Sequence, residues 1–303
     1  SQTRLFSPGR TVIIAISTFT QLVRMKVFYF LLAFLLVAIG VNFLDELPHT
    51  SGPESAGVEK LRMIASPLIG SMKLFAVMLG IVATALLIPK DLEDRTLYTI
   101  LAKPVPRLDY LLGKLLGVLT LIFVGLLVMS ILLCLVLHVQ ASNLLNNHIA
   151  FLEARGYPQE VIDFERAEII RHGVSWSLVG ALCCVFFEAA IIASVALLVS
   201  TFSSSTLFTV VTTTLIYFIG HFMADGRDYW LKQADQADST LTRLASQVVS
   251  VIFPDFRLFK VADSVLSGEV FGLIIFLKIT GVTVIYMGIY TVLSWFVFSD
   301  KEI

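Results

Sequence analysis

The run "LLGVLTLIFVGLLVMSILLCLVL", residues 115–137, holds no charged side chain. A bilayer core about 30 Å thick is crossed by ~20 apolar residues as a helix. The run has that length and lacks the two-residue alternation of a barrel strand. In lipid its N–H and C=O groups would find no water, so the segment must pair them within itself as a helix.

The pattern recurs on both sides. Residues 27–44, 68–88, 174–199, 206–223 and 270–298 are also apolar enough to be read as spans. The whole chain of 303 residues is 57% hydrophobic and 15% charged, with mean hydropathy +0.86. Soluble domains sit near 45–50% and 25%. The expectation is an all-α integral membrane protein, a single domain over 1–303 with six transmembrane helices. A net charge of −1 points away from nucleic acid. Cys134, Cys183 and Cys184 all lie within apolar runs and read as small buried hydrophobes rather than a disulfide framework or zinc site. The methionines are scattered, so no metal site is expected. No cleavable leader is expected either, because mixed residues precede the first run and no small-residue cleavage site follows it.

Lysine and arginine near span ends set orientation. With the N-terminus in the cytoplasm, the inner segments hold ten basic and six acidic residues, and the outer segments ten basic and sixteen acidic. Six spans then put both termini in the cytoplasm, at a bacterial inner membrane. Ahead of the first span, "GRTVIIAISTFTQLVRMK" (9–26) places Val12, Ile16, Phe19 and Val23 at helical spacing and predicts an interfacial helix over 11–25. Two outer segments, 157–173 with Pro158 at a helix start and 240–269 with Pro254 inside, predict short external helices.

Between the second and third spans lies "IPKDLEDRTLYTILAKPVPRLDYLLGK" (88–114), with nine charges and three prolines. Pro89 is expected to close the second span. Asp91, Glu93 and Asp94 then suit the N-terminus of a short helix. Leu92, Thr96 and Ile100 share one face, Leu97 and Leu101 flank it, and Pro104 and Pro106 stop it. Such a stiff amphipathic peg over 90–104 suits a partner protein more than solvent.

The stretch resembles the cytoplasmic loop of ABC type 2 exporter permeases. It carries Glu93, Arg95-Thr96, Leu97, Leu101, Pro104-Val105-Pro106-Arg107, Tyr110 and Gly113-Lys114 in the order of that pattern. The branch often labelled multi-copper enzyme maturation permease is the most similar. The six-span plan and "FPDFRLF" (253–259) before the last span extend the likeness over the whole chain. Arg95 replaces a common Gly, and the outer loops exceed those of the smallest members. The resemblance implies that 90–104 is a coupling helix docking on a separate cytoplasmic ATPase. Leu92, Glu93, Asp94, Arg95, Thr96, Leu97, Ile100, Leu101, Lys103 and Arg107 would be its contact residues. It also implies a second permease subunit, identical or related, and leaves room for accessory external proteins. ATP and Mg would sit in the ATPase, with no cofactor and no enzymatic activity in this chain. In accord, the sequence has no G-x-x-x-x-G-K-[ST] phosphate loop: "LLGKLLG" has Leu after the Lys.

Charges within spans are expensive and mark either structural pairs or a transport path. Glu188 and Lys278 are the two candidates, read either as partners of one another, as a snorkelling lysine, or as a path. Lys73 reads as lying near a span end. The hydroxyl stripe of Thr206, Thr209 and Thr213 reads as a close helix contact. His138 and His221 read as interfacial polar residues. Three other functions compete. An intramembrane enzyme lacks H-E-x-x-H, G-x-S-x-G and paired aspartates. A secondary transporter or channel would favour matching halves with broken helices, which the sequence lacks. A non-transporting scaffold would share the loop without the transport.

Overall fold

The computed structural model describes residues 7–25, 58–93, 106–174, 176–203, 205–237 and 272–299, together with 29, 32, 33, 40, 256 and 259. Seven helices are built from them: α1 (Pro8–Val23), α2 (Val58–Glu93), α3 (Arg107–Ala154), α4 (Gln159–His172), α5 (Trp176–Phe202), α6 (Thr206–Ala237) and α7 (Leu273–Ser299). There is no strand among the described residues. Four helical stretches are long and apolar enough to cross a membrane: Leu61–Ile88, Arg107–Ala154, Gln159–Phe202, which joins α4 to α5, and Leu273–Ser299. The shorter Thr206–Phe222 is apolar too. The expected first span, 27–44, lies outside the described residues apart from four positions, as does most of the segment 240–269.

Helix α5 is the axle. Ala181, Cys184, Val185, Ala189, Ala190, Ile191, Ile192 and Ala193 are all buried on it, and α2, α3, α6 and α7 pack around it. Small residues let α2 come close: a Cβ built on Gly80 would lie 3.3 Å from the Ala189 carbonyl oxygen. Lys73 meets Glu188 and Gly80 meets Ala189 and Ala193, so α2 and α5 run in the same direction. Helix α6 returns antiparallel after a tight serine turn. Ser205 N–H donates to Ser203 Oγ at 3.1 Å, and Ser205 Oγ accepts from Phe208 N–H at 3.4 Å, so the serines cap the new helix.

Two element boundaries differ from expectation. Helix α2 runs through Pro67 and Pro89 to Glu93, so Pro89 does not end the helix that follows from the apolar stretch Leu61–Ile88. Leu61, Ile64 and Ala65 before Pro67 are as buried as Leu68, Ile69 and Met72 after it, and this packing holds the helix together across the missing N–H. Asp91 and Glu93 consequently belong to the helix that continues from the second span, and the residues after Glu93 lie outside the described residues. Helix α3 does not stop at residue 137 but continues to Ala154, 48 residues in all. At 1.5 Å per residue that is ~72 Å, more than twice a bilayer core. Its far end is closed by Gly156 at φ +72°, with Tyr157 N–H donating to the Leu152 carbonyl and Gly156 N–H to that of Glu153. This is a Schellman cap, which needs the left-handed residue glycine supplies. Helix α4 then folds back, burying Ile162 and Ile169.

Helix α1 exists as expected, and its packed face is mixed. Thr11, Thr18 and Leu22 are buried and Phe19 and Val23 pack against the core, whereas Val12, Ile13 and Ile16 are exposed. Ile14 sits over Gly113 and Thr18 over Gly117 of α3, where an added Cβ would approach Ile14 Cβ and Thr18 Cβ to 2.6 Å. The G-x-x-x-G spacing therefore serves a close parallel helix contact.

Candidate functional site

Two groups of polar side chains stand out from the apolar bundle. The first is a junction where α1 and α3 begin and α7 ends. Asp109, one turn into α3, is fully buried. Both of its oxygens accept from Ser7 N–H at 3.2 Å, and Oδ2 lies 3.3 Å from Arg10 Nε. The carboxylate thus caps the positive end of α1 and pairs with its first arginine. Two residues earlier, Arg107 donates to the carbonyl of Phe298 at 2.7 Å and to that of Ser299, the last turn of α7. Tyr110 stacks on Phe298 with centroids 5.9 Å apart, and the Arg107 guanidinium lies 5.8 Å from that same Phe298 ring. One short stretch, 107–110, ties three helices together.

Of the residues expected to face an ATPase, Leu92 and Glu93 form the last turn of α2. Asp94, Arg95, Thr96, Leu97, Ile100, Leu101 and Lys103 lie outside the described residues. Arg107 is described, and its side chain is engaged with the end of α7 rather than extended as a peg.

The second group lies inside the bundle. Glu188 is 1% exposed, at the middle of α5. Its Oε2 is 2.9 Å from Lys73 Nζ, and its Oε1 is 3.4 Å from His221 Nε2. Tyr217 stands close to the same carboxylate, its ring 4.6 Å from that of His221. Lys73 comes from α2, Glu188 from α5, and Tyr217 and His221, one turn apart, from α6. Phe256 closes the group: its ring stacks on His221 at 5.2 Å and meets Tyr217 at 5.7 Å, and Phe259 packs behind it at 6.3 Å. An aromatic pair thus seals a charged cluster, and it comes from the "FPDFRLF" segment.

The charges pair differently from the sequence expectation. Glu188 takes Lys73, not Lys278, as its cation, while Lys278 is exposed on α7. The reason is that α2 reaches back at least to Val58, ahead of the expected span start at 68. Counted from Val58, Lys73 lies ~22 Å along its helix, close to the ~18 Å of Glu188 from Trp176. Read from a span starting at 68, the lysine falls near an end. His221 is likewise a partner of Glu188 rather than an isolated interfacial residue. A pattern of one acid, one base and one histidine in three separate spans was the available signal, and depth was the missing piece.

Hydroxyls mostly bond back to their own helices, as Thr209 Oγ1 does to the Ser205 carbonyl at 3.2 Å and Thr283 Oγ1 to that of Ile279 at 2.8 Å. Thr209 and Thr213 are both buried in a helix contact, and Thr84 and Thr213 leave their hydroxyls without a hydrogen-bond partner. All three cysteines are free, and no group of three or more His, Cys, Asp or Glu among the described residues could hold a metal. No protein-family model matches the sequence, and no curated protein matches it.

Proposed function

We propose that the chain is the transmembrane permease subunit of an ATP-driven exporter, working with a second permease subunit and two separate cytoplasmic ATPase subunits. The segment joining α2 to α3 docks on the ATPase, both termini lie in the cytoplasm, and the substrate crosses within the paired bundles. The resemblance of residues 93–114 to exporter permeases motivates this reading.

The observation that carries it is the junction at 107–110. A push on the α2–α3 segment arrives at Arg107 and Asp109. These hold the last described turn of α7 and the N-terminus of α1 by part-buried, charge-assisted contacts. At its other end the same segment continues directly from α2, which packs along α5. A stroke delivered there reaches α1, α2, α3 and α7 together, as rigid-body coupling requires. A passive connecting loop has no need of such an anchorage.

Affinity purification of the tagged chain from native membranes tests the reading. Stoichiometric recovery of a nucleotide-binding subunit is expected. The paired change Glu93→Lys with Arg95→Glu should then leave the chain folded in the membrane and abolish stimulation of that subunit's ATP hydrolysis. Purification without any such subunit, or normal coupling in the paired variant, overturns it.

A further inference from the structure

His172 is the last residue of α4, and its side chain is 6% exposed. Each of its ring nitrogens has a neighbour that fixes its role. Nδ1 lies 3.0 Å from the Glu168 carbonyl oxygen and 3.5 Å from Glu168 Oε2. A carbonyl and an ionised carboxylate only accept, so Nδ1 carries a hydrogen and donates it. Nε2 lies 3.5 Å from Arg62 Nη2, close to the start of α2. A guanidinium only donates and stays charged, whatever else Arg62 touches. Nε2 therefore accepts through a bare lone pair. The contact between α4 and α2 is one that a neutral ring makes, with its hydrogen on Nδ1. A second hydrogen would turn Nε2–H against an N–H of Arg62 and set two cations 3.5 Å apart.

Among the described residues, three charged groups bear on this ring. Arg62 of α2 opposes a protonated ring. Glu168 of α4 favours one, but it shares its carboxylate with Arg171, 3.5 Å away on the same helix. Helix α3 meets α4 at other charges. His148 is 7% exposed and 3.9 Å from Glu165, and Glu153 is 3.8 Å from Arg166. The His148 contact becomes an ion pair only when that ring is protonated, so it answers acid in the opposite sense. Next in sequence to Arg62 and near His172, Leu61 of α2 and Ile169 of α4 are fully buried. The expected spans begin at residues 68 and 174, so this cluster stands at one face of the bilayer core, where protons have access.

We propose that His172 is a proton-sensitive latch between α4 and α2, closed while its ring is neutral and opened when the ring takes up a proton. Histidine is suited to this because its charge changes near physiological pH. The closed latch accepts from Arg62 and donates to the Glu168 carbonyl. Protonation destroys the first bond and keeps the second, so acid frees the end of α4 from α2 only. His148 and Glu165 hold α4 on α3 meanwhile. In the topology proposed above the latch faces the exterior, but it operates whether or not an ATPase drives the chain.

The test is nitrogen magnetic resonance on the full chain in lipid nanodiscs, with isotope-labelled histidine. His172 signals are identified by their loss in His172→Gln. At mildly alkaline pH the ring should be neutral with its single hydrogen on Nδ1. A hydrogen on Nε2 overturns the proposal. Arg62→Met removes the opposing cation, so His172 should take up its proton at higher pH than in the wild type. An unchanged or lower midpoint overturns it. Hydrogen exchange, corrected for the intrinsic effect of pH, reads the seam itself. Mildly acidic pH should speed exchange in 58–66 and 166–173 and spare 144–152. In His172→Gln, whose amide oxygen can still accept from Arg62 but cannot titrate, that acceleration should vanish. No acceleration in the wild type, the same acceleration in His172→Gln, or equal loosening of 144–152 overturns the latch.

Discussion

Glu188 shows how much a single residue reveals and how much it withholds. A carboxylate within an apolar run announces a partner, because an isolated charge in lipid costs ~2.5–3.5 kcal/mol or more. Which partner it has depends on three helices meeting at one depth. Breaking the Lys73–Glu188 pair from one side should therefore be worse than removing both charges. Lys73→Met alone is expected to cost about 3–5 kcal/mol, because it strands a buried carboxylate, and Lys73→Met with Glu188→Gln should recover a large part of that. Thermal unfolding of the single and double variants in detergent measures the difference, and equal losses contradict the pairing. At the junction, Asp109 has the same logic on a smaller scale. Asp109→Ala removes the acceptor for Ser7 N–H and the mate of Arg10, and is expected to cost about 1–3 kcal/mol. Proteolysis should then cut the N-terminal helix faster than in the wild type.

Among the elements, α1 is the most instructive. Its apolar periodicity was readable and predicts a helix. The rule that apolar faces pack inward holds only in part here: Leu22, Phe19 and Val23 pack inward, Ile14 and Thr18 meet the two glycines, and Val12, Ile13 and Ile16 face outward. Gly117→Leu should drive α1 off α3, because even a Cβ at Gly117 would lie 2.6 Å from Thr18 Cβ and 2.9 Å from the Ala15 carbonyl oxygen. Overpacking of this kind costs about 1–3 kcal/mol. Limited proteolysis should then release the N-terminal helix faster than in the wild type, and an unchanged rate argues against the contact. The boundaries of α2 and α3 were less legible. A proline ends a helix by its local chemistry, but burial on both sides of Pro67 outweighs that loss. The end of α3 rests on α4 folding back along it, with His148 3.9 Å from Glu165 and Arg166 3.8 Å from Glu153.

Among the described residues, the long apolar helices turn many large apolar side chains outward and several hydroxyls inward. Helix α7 shows Ile274, Leu277, Val284, Ile285, Val292 and Phe296 on its exterior, while Thr283, Thr291 and Ser294 point inward. This is the arrangement expected where the surroundings are hydrocarbon. Ile285→Lys, near the middle of α7, should lower membrane insertion by about 3 kcal/mol. The same change at Leu273, at the helix start, should cost much less because the lysine can snorkel. Quantifying the membrane-inserted fraction of the two variants checks this, and equal effects speak against a lipid-facing α7.

The amino-acid sequence by itself determined that the chain is helical, with several helices long and apolar enough to cross a membrane. Hydropathy and the need to pair every backbone group in lipid act locally, so each run carries its own answer. It also determined where charge is out of place. Only the tertiary structure decided which charges meet, that the 107–110 stretch fastens three helices, and that Phe256 stacks on His221 with Phe259 behind it. Those are questions of depth and facing between segments far apart in the chain. A helix fixes the spacing of its own side chains, but its register against a neighbour is set by packing, here by glycines, alanines and threonines whose small size leaves no mark on a hydropathy profile.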